Sequence, residues 1–345
     1  MLILGIETSC DETSASLLEV KNGSTRVLSN VISSQIKIHA KFGGVVPSLA
    51  AREHVKNLGA VLKLALQKYD FDGIDLIAIT AGPGLVSSLL VGTAFAKTIA
   101  WKFSKKIVAI NHMEGHIYSN WLGSVGKKKA MDKQLFPAIC LTVSGGHTQL
   151  ILMKKHSKYR LLGETLDDAA GEAFDKIARM LELPYPGGPS ISKAAEKVIA
   201  RKYSVVLPRP MIGSKNFNFS FAGLKTAVLY LLKDMSKKYP LTKIRNEVAA
   251  EAQQAIVDVL VSKTIRAVEK YKVKSIMLSG GVSANKLLRE ELKKTSKQKG
   301  LKYFQPEMEY TTDNAAMIAM AGYFNRKSKK QGLKKIQANA NWEIV

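Results

Sequence analysis

Acid is scarce in this chain relative to base. Its 345 residues carry 28 Asp and Glu against 52 Lys and Arg, a formal net charge of +24. Such a surplus favours a polyanionic partner, although a generally lysine-rich background would raise the charge without any binding purpose. Cysteine is nearly absent too. Cys10 and Cys140 lie far apart, which excludes a disulfide framework and a cysteine-built metal cluster and suits a reducing compartment. No stretch reaches membrane-spanning length without a charge or a strong break. The longest apolar helix expected, near residues 84–101, carries Lys97 and many small residues. The start at Leu2 reads as a strand entering a turn, so no leader peptide is expected. No glycine-rich run ends in Gly-Lys-Ser/Thr and none fits the dinucleotide fingerprint, which removes the Walker and Rossmann readings.

What is present is a globular composition, 46% hydrophobic and 23% charged, at a length that suggests about two domains. A motif-level repeat supports that division. Ile3 to Thr8 is an apolar run, a polar turn follows through Asp11 and Glu12, and Ala15 to Val20 is apolar again. Ala138 to Val143, the turn Ser144-Gly145-Gly146-His147-Thr148 and the run Gln149 to Met153 repeat the pattern. Turns of this kind expose backbone N–H groups that can cradle an anion. Between them, helix and strand signals alternate. Helices are expected over Ser48–Tyr69, from Gly84 through Lys97, over Asp167–Leu183, near Ser190–Arg201, over Gly223–Met235 and Val248–Tyr271, and from Ala284. Thr311-Thr312-Asp313 is expected to cap a helix through Phe324. Leu76–Thr80, Ile107–Asn111 and Ser275–Leu278 read as strands, giving an α/β protein of two halves with a cleft between them. The boundary is expected near Ser119–Lys133, and the chain end is expected to return to the first half as a helix.

His112-Met113-Glu114-Gly115-His116 follows directly on the strand ending at Asn111. On a helix, residues four apart share a face, so the two imidazoles converge, a common start of a transition-metal site. Such a pair can equally fill a cleft wall. Two further glycine turns, Tyr185-Pro186-Gly187-Gly188-Pro189 and Gly280-Gly281-Val282-Ser283-Ala284-Asn285, join the two hairpin tips. Four such turns at element ends favour a nucleotide-like ligand. Two basic stretches, Arg201–Lys225 with Tyr203, Phe217, Phe219 and Phe221, and Arg326–Lys335, contain no acid. The first suits phosphate tracking and base stacking, the second a solvated helix end.

The turns resemble those of the actin, Hsp70 and sugar-kinase superfamily, whose duplicated halves clasp a nucleotide. Longer motifs sharpen the likeness. Gly5-Ile6-Glu7-Thr8-Ser9-Cys10-Asp11-Glu12-Thr13, the His112–His116 motif, Val143–Thr148, Asp168-Ala169-Ala170-Gly171-Glu172-Ala173-Phe174-Asp175-Lys176, Gly280–Asn285 and Thr312-Asp313-Asn314 occur in order. Together they resemble the universal tRNA threonylcarbamoyladenosine transferase family, over nearly the whole chain. Phe42-Gly43-Gly44-Val45-Val46-Pro47-Ser48-Leu49-Ala50 is similar to its bacterial and organellar branch, and the bacterial cytoplasmic form is the better match.

The resemblance implies a duplicated two-lobed fold: residues 1–120 as the first lobe, completed by a helix over 325–345, and residues 121–324 as the second, with the nucleotide and metal cleft. It implies one divalent metal ion, Fe2+ in the first place and Zn2+ as the alternative, on His112, His116 and Asp313. It implies nucleotide or donor contacts at Thr142, Val143, Ser144, Gly145, Gly146, Asp175, Gly188 and Asn285, with Asp175 on the ribose. Ser192 stands where some relatives carry an acid, and Ala222 where the family often has Ser. Lys225 is expected to border an RNA entrance. The implied reaction moves a threonylcarbamoyl group from threonylcarbamoyl-AMP to an adenosine amine beside the anticodon of tRNAs reading codons that start with A. Asp11 and Glu12 are the candidates to take the amine proton. Implied partners are tRNA, a TsaB-like paralogue and a small TsaE-like ATPase, with no membrane. Rival readings are a metallopeptidase and an ATP-binding module of the same fold. A zincin places Glu directly after its first His; here Met113 takes that place and Glu114 is turned by about 100° around the helix.

Overall fold

The computed structural model describes residues 1–123, 135–328 and 331–344. The chain divides into two compact units. The first comprises Met1–Gln134, Lys155–Tyr159 and Pro306–Val345, the second Leu135–Lys154 and Arg160–Gln305.

In the first unit, β1 (Leu2–Glu7), β2 (Glu12–Lys21) and β3 (Ser24–Ser34) form an antiparallel meander. Then come a short helix α1 (Ile36–His39), α2 (Pro47–Leu66), β4 (Leu76–Gly82), α3 (Val86–Lys102), β5 (Lys106–Asn111) and α4 (His112–Tyr118). The strand order is β3-β2-β1-β4-β5, with β1, β4 and β5 mutually parallel. β4 is buried along its whole length, which is why Leu-Ile-Ala-Ile-Thr-Ala-Gly reads as a continuous run and not as an alternation.

The second unit repeats the plan. β6 (Ala138–Val143), β7 (Thr148–Lys155) and β8 (Lys158–Glu164) lead to helices α5 (Ala170–Met180), α6 (Gly187–Ala195), α7 (Ala222–Met235) and α8 (Leu241–Tyr271). β9 (Ser275–Ser279), α9 (Lys286–Gln298) and β10 (Lys302–Phe304) complete it. The order β10-β9-β6-β7-β8 mirrors the first sheet strand for strand, so the repeat read in the two hairpins extends to the whole sheet.

The expected lobe boundaries differ from this division. The last helix, α10 (Ala315–Asn325), was assigned with residues 121–324 to the second half, yet it packs in the first unit against β1, β2, β4 and α4. Its sequence Ala-Ala-Met-Ile-Ala-Met-Ala-Gly explains why. Small side chains allow close approach: a Cβ on Gly5 of β1 would overlap the Ala315 carbonyl and stand 2.9 Å from the Ala319 nitrogen. A Cβ on Gly322 would stand 2.6 Å from the Ala78 Cβ, and one on Gly115 of α4 2.7 Å from Ile318 Cδ1. The expected linker at Ser119–Lys133 falls largely outside the described residues, as does part of the basic run Arg326–Lys335.

The chain end does return to the first unit, but without the expected helix over 325–345 among the described residues. Gly332 adopts φ 99°, and the segment runs as an irregular strap. Gly332 N donates to Ile107 O at 2.9 Å, Asn339 N to Ala81 O at 2.7 Å, and Ile336 is buried. A Lys-rich segment interrupted by Gly, with only Ile336 and Ile344 buried among its described apolar residues, has no continuous stripe on which a helix could pack. Two other helices start elsewhere than expected. α5 begins after Asp167, whose carboxylate accepts from the backbone N–H of Phe221 and Ala222. α6 begins inside the Gly187-Gly188 turn and ends at Ala195.

Gly5→Ala should destabilise the protein by about 1–3 kcal/mol through overpacking against α10. The urea midpoint measures this; an unchanged midpoint would show that α10 does not sit this close.

Candidate metal centre and glycine turns

β5 delivers the chain to α4 through Asn111. Its side chain accepts from Met113 N at 2.9 Å and Glu114 N at 3.4 Å, so the helix begins at His112. The imidazoles of His112 and His116 then lie on one face, with ring centroids 4.6 Å apart at 74°. Asp313 comes from the turn before α10. The cap of that helix is Asn314, which accepts from Met317 N at 3.0 Å. It corrects the expected cap at Thr311–Asp313 and leaves the Asp313 carboxylate to face the histidines. Asp313 Oδ1 lies 3.5 Å from His112 Nε2 and 3.3 Å from His116 Nε2. One ligand atom from each residue falls within 4.8 Å of the others.

Electrostatics tie the three together. Burial opposes charge on Asp313, but the two imidazoles overcome it and hold the carboxyl well below its usual range. Burial also opposes charge on His112, and Asp313 and Glu7 outweigh it, lifting His112 well above the usual imidazole value. Burial first, and then His112, lower His116, which stays neutral. Among the described residues neither buried ring nitrogen of His116 makes a hydrogen bond, although Nε2 lies 3.3 Å from the Asp313 carboxylate. Unpaired buried nitrogens are costly, and a metal ion would satisfy one of them. Two imidazoles and one carboxylate match the donor sets of Zn2+ and Fe2+. The residues fit the group.

Asp11 and Glu12 stand at the β1–β2 turn of the same unit. Burial raises Glu12 well above the carboxylate range, Asp11 and Asp313 add to the rise, and a hydrogen bond from Ser34 at 3.2 Å opposes it. Asp11 is buried, and its backbone carbonyl accepts from Gln35 N at 3.1 Å. Burial also pushes the Cys10 thiol well up, so that it is no ready nucleophile. Glu114 is buried among other partners. Its Oε1 accepts from Tyr159 Oη and from Asn325 Nδ2, both at 2.9 Å. A carboxylate so engaged is not placed to activate a metal-bound water, which removes the structural basis of the peptidase reading.

The expected nucleotide turns gather in the second unit. Thr142 Oγ1 is 3.0 Å from Ser279 Oγ, and a Cβ on Gly280, at φ 86°, would strike the Val143 backbone. Ser144 N donates to His147 O at 2.8 Å, closing the hairpin, while Gly145, Gly146 and Gly188 have open space where a Cβ would project. Gly171 N donates to Ser144 O at 3.2 Å and Asp175 Oδ1 accepts from Gly187 N at 2.6 Å, so α5 joins two of the turns. Asn285 caps α9 and donates to Ser192 Oγ at 3.0 Å and Gln253 Oε1 at 2.8 Å.

One expectation fails here. Phe217, Phe219 and Phe221 are buried in the second core and cannot stack bases, and Glu251 binds both Arg201 and Arg209. Lys225 is 3.4 Å from Asp168, in an ion-pair group with Lys176. Sequence reasoning also passed over Glu7, Thr80 and Gln253. An acid inside the apolar run Leu2–Glu7 was the available signal for the first.

Comparisons with known proteins show the family. Residues 26–320 match the family model of tRNA N6-adenosine threonylcarbamoyltransferase. The chain belongs to that family. Its relatives include the enzymes of that name from Thermosipho africanus, 47% identical over 96% of each chain, and from Bacillus subtilis, 46% identical over 93% of this chain and 90% of the other. Among solved structures, HypF from T. kodakarensis has a TM-score of 0.58 at 15% identity, covering 94% of this chain and 47% of that one. The Acidaminococcus fermentans (R)-2-hydroxyglutaryl-CoA dehydratase component A has 0.52 at 14%, covering 95% and 100%. These two concern the fold, which is the duplicated actin, Hsp70 and sugar-kinase type expected. Like the relatives of its family, the chain is an acyltransferase. No helix among the described residues is long and apolar enough to cross a membrane.

In the metal-free protein the raised pKa of His112 keeps it protonated near neutrality, and only the neutral imidazole binds metal. Loading should therefore release a proton, and affinity for Zn2+ should rise from about pH 6 to about pH 8. Chelator competition measures it; affinity independent of pH would contradict the assignment of His112.

Proposed function

We propose that this acyltransferase uses His112, His116 and Asp313 to hold one divalent ion, Fe2+ or Zn2+, and transfers threonylcarbamoyl from threonylcarbamoyl-AMP to the N6 amine of the adenosine beside the tRNA anticodon. The observation that carries the reading is the convergence of the three ligands, with no hydrogen bond to the buried nitrogens of His116 among the described residues, in a chain of this family. A bound ion supplies Lewis acidity toward the donor's oxygens.

The other steps fall to the chain's own residues. An aromatic amine is a weak nucleophile, so the donor must be activated and held in line. The mixed anhydride provides the activation: the amine nitrogen bonds to the carbamoyl carbon, and that carbon's bond to the phosphate oxygen breaks, releasing AMP. Glu12 is the favoured acceptor of the amine proton, because burial and the neighbouring carboxylates raise its affinity for a proton. Asp11 supports it by charge. Backbone N–H groups of Gly145, Gly146 and Gly188 suit the adenylate phosphate, and Ser144 closes the hairpin that presents the first two. Thr142 and Val143 set the strand from which that turn projects, and Asn285 caps the helix beside Ser192. Asp175 already accepts from Gly187, and a carboxylate has capacity for a ribose hydroxyl as well. The surplus of basic residues suits a tRNA. A paralogue of the same fold, a small ATPase and a cytoplasmic setting complete the proposal.

The test supplies purified protein, bacterial partner proteins, threonylcarbamoyl-AMP and unmodified tRNA, and reads threonylcarbamoyladenosine by nucleoside mass spectrometry. Product is expected from the wild type, and its absence with active partners would contradict the function. His116→Ala should lose metal and reduce product at least about 100-fold, the scale of a lost electrostatic stabiliser. Full product without metal would reduce the centre to a structural role.

A further inference from the structure

We propose that Glu7 is the positioning residue of the metal centre, the carboxylate that orients His112 as a ligand. The inference rests on the reading of His112, His116 and Asp313 as the ligands. Three neighbouring parallel strands bring its parts together. Glu7 ends β1, Thr80 lies on β4, and His112 follows β5. Glu7 is fully buried. Its Oε2 lies 3.2 Å from His112 Nδ1, on the side of the ring opposite the nitrogen that meets Asp313.

The carboxylate is itself held. Thr80 Oγ1 donates to Oε2 and Ser9 N donates to Oε1 at 2.6 Å. With both oxygens fixed, Glu7 has one acceptor direction that matches the ring. Ser9 Oγ, at 3.1 Å, also reaches His112 Nδ1. A carboxylate can only accept from the imidazole, so Nδ1 keeps its proton, and Nε2, toward Asp313 and His116, is the nitrogen that gives up its proton to coordinate a metal. Fixing tautomer and ring plane together raises the ligand's basicity and removes the cost of ordering it on binding.

Burial of an acid at the end of an apolar strand has a structural explanation too, since Glu7 closes the turn through Ser9. The two roles separate by experiment. Glu7→Gln keeps the volume and an oxygen for Ser9 N or Thr80, but lacks the charge. Co2+ serves as the probe, because its visible bands report ligand geometry. Secondary structure by circular dichroism should be unchanged, Co2+ and Zn2+ affinity should fall about 10- to 100-fold, and the Co2+ bands should shift. The kcat of the metal-saturated variant should fall while KM for tRNA stays near the wild-type value. Folded Glu7→Gln with wild-type metal affinity and wild-type Co2+ bands would overturn the proposal. A wild-type protein that binds no Co2+ or Zn2+ would overturn the metal reading beneath it. If Glu7→Gln is unfolded, Thr80→Val serves in its place. It removes the hydroxyl that fixes Oε2 while leaving the charge, and the same two-sided outcome in affinity and bands applies.

Discussion

The seating of α10 on the first sheet is the contact on which the site depends. The helix approaches β1 so closely that Gly5 has no room for a Cβ, and its glycine at 322 meets Ala78 of β4. That approach fixes the height and rotation of its N-terminus. Asn314 caps the helix, and Asp313 is left just ahead of the first turn, within 3.5 Å of both histidines. A larger residue at any of these contacts would push the helix outward and move Asp313 with it. The packing that stabilises the unit thus also sets the distance between ligands nearly 200 residues apart in the chain.

Much of this was legible in the sequence, for identifiable reasons. Hairpin signals are local, and β1–β2 and β6–β7 fold where the alternation of apolar runs and small polar turns placed them. The histidine spacing is also local, because helical periodicity alone puts both rings on one face. What the sequence hid was long-range packing. α10 follows the second sheet in the chain but belongs to the first unit, since its small residues complement Gly5 and Ala78, and no windowed pattern records that match. The aromatic residues at 217, 219 and 221 misled for the opposite reason: alternation beside basic residues resembles a stacking surface, whereas here it marks a strand-like segment buried in a core. Glu7 escaped notice because one acid in an apolar strand has no meaning until its neighbours on β4 and after β5 are known.

The two units carry different chemistry on the same sheet plan. In the first, the turn after β1 gathers acids and the end of β5 supplies imidazoles, so charged and metal-ligating groups concentrate there. In the second, the corresponding hairpin turn is Ser-Gly-Gly, and the other turns are glycine-rich or capped by Asn285, so backbone N–H groups take the place of charged side chains. The same sheet plan thus carries ionisable groups at the strand ends of one unit and glycine turns at those of the other.

The most direct test is anomalous scattering from crystals of the protein loaded with Zn2+ or, without oxygen, Fe2+. A single strong peak at the metal edge, bonded to His112 Nε2, His116 Nε2 and an Asp313 carboxylate oxygen, is the expected result. A peak elsewhere, or none in protein shown to contain metal, would contradict the account.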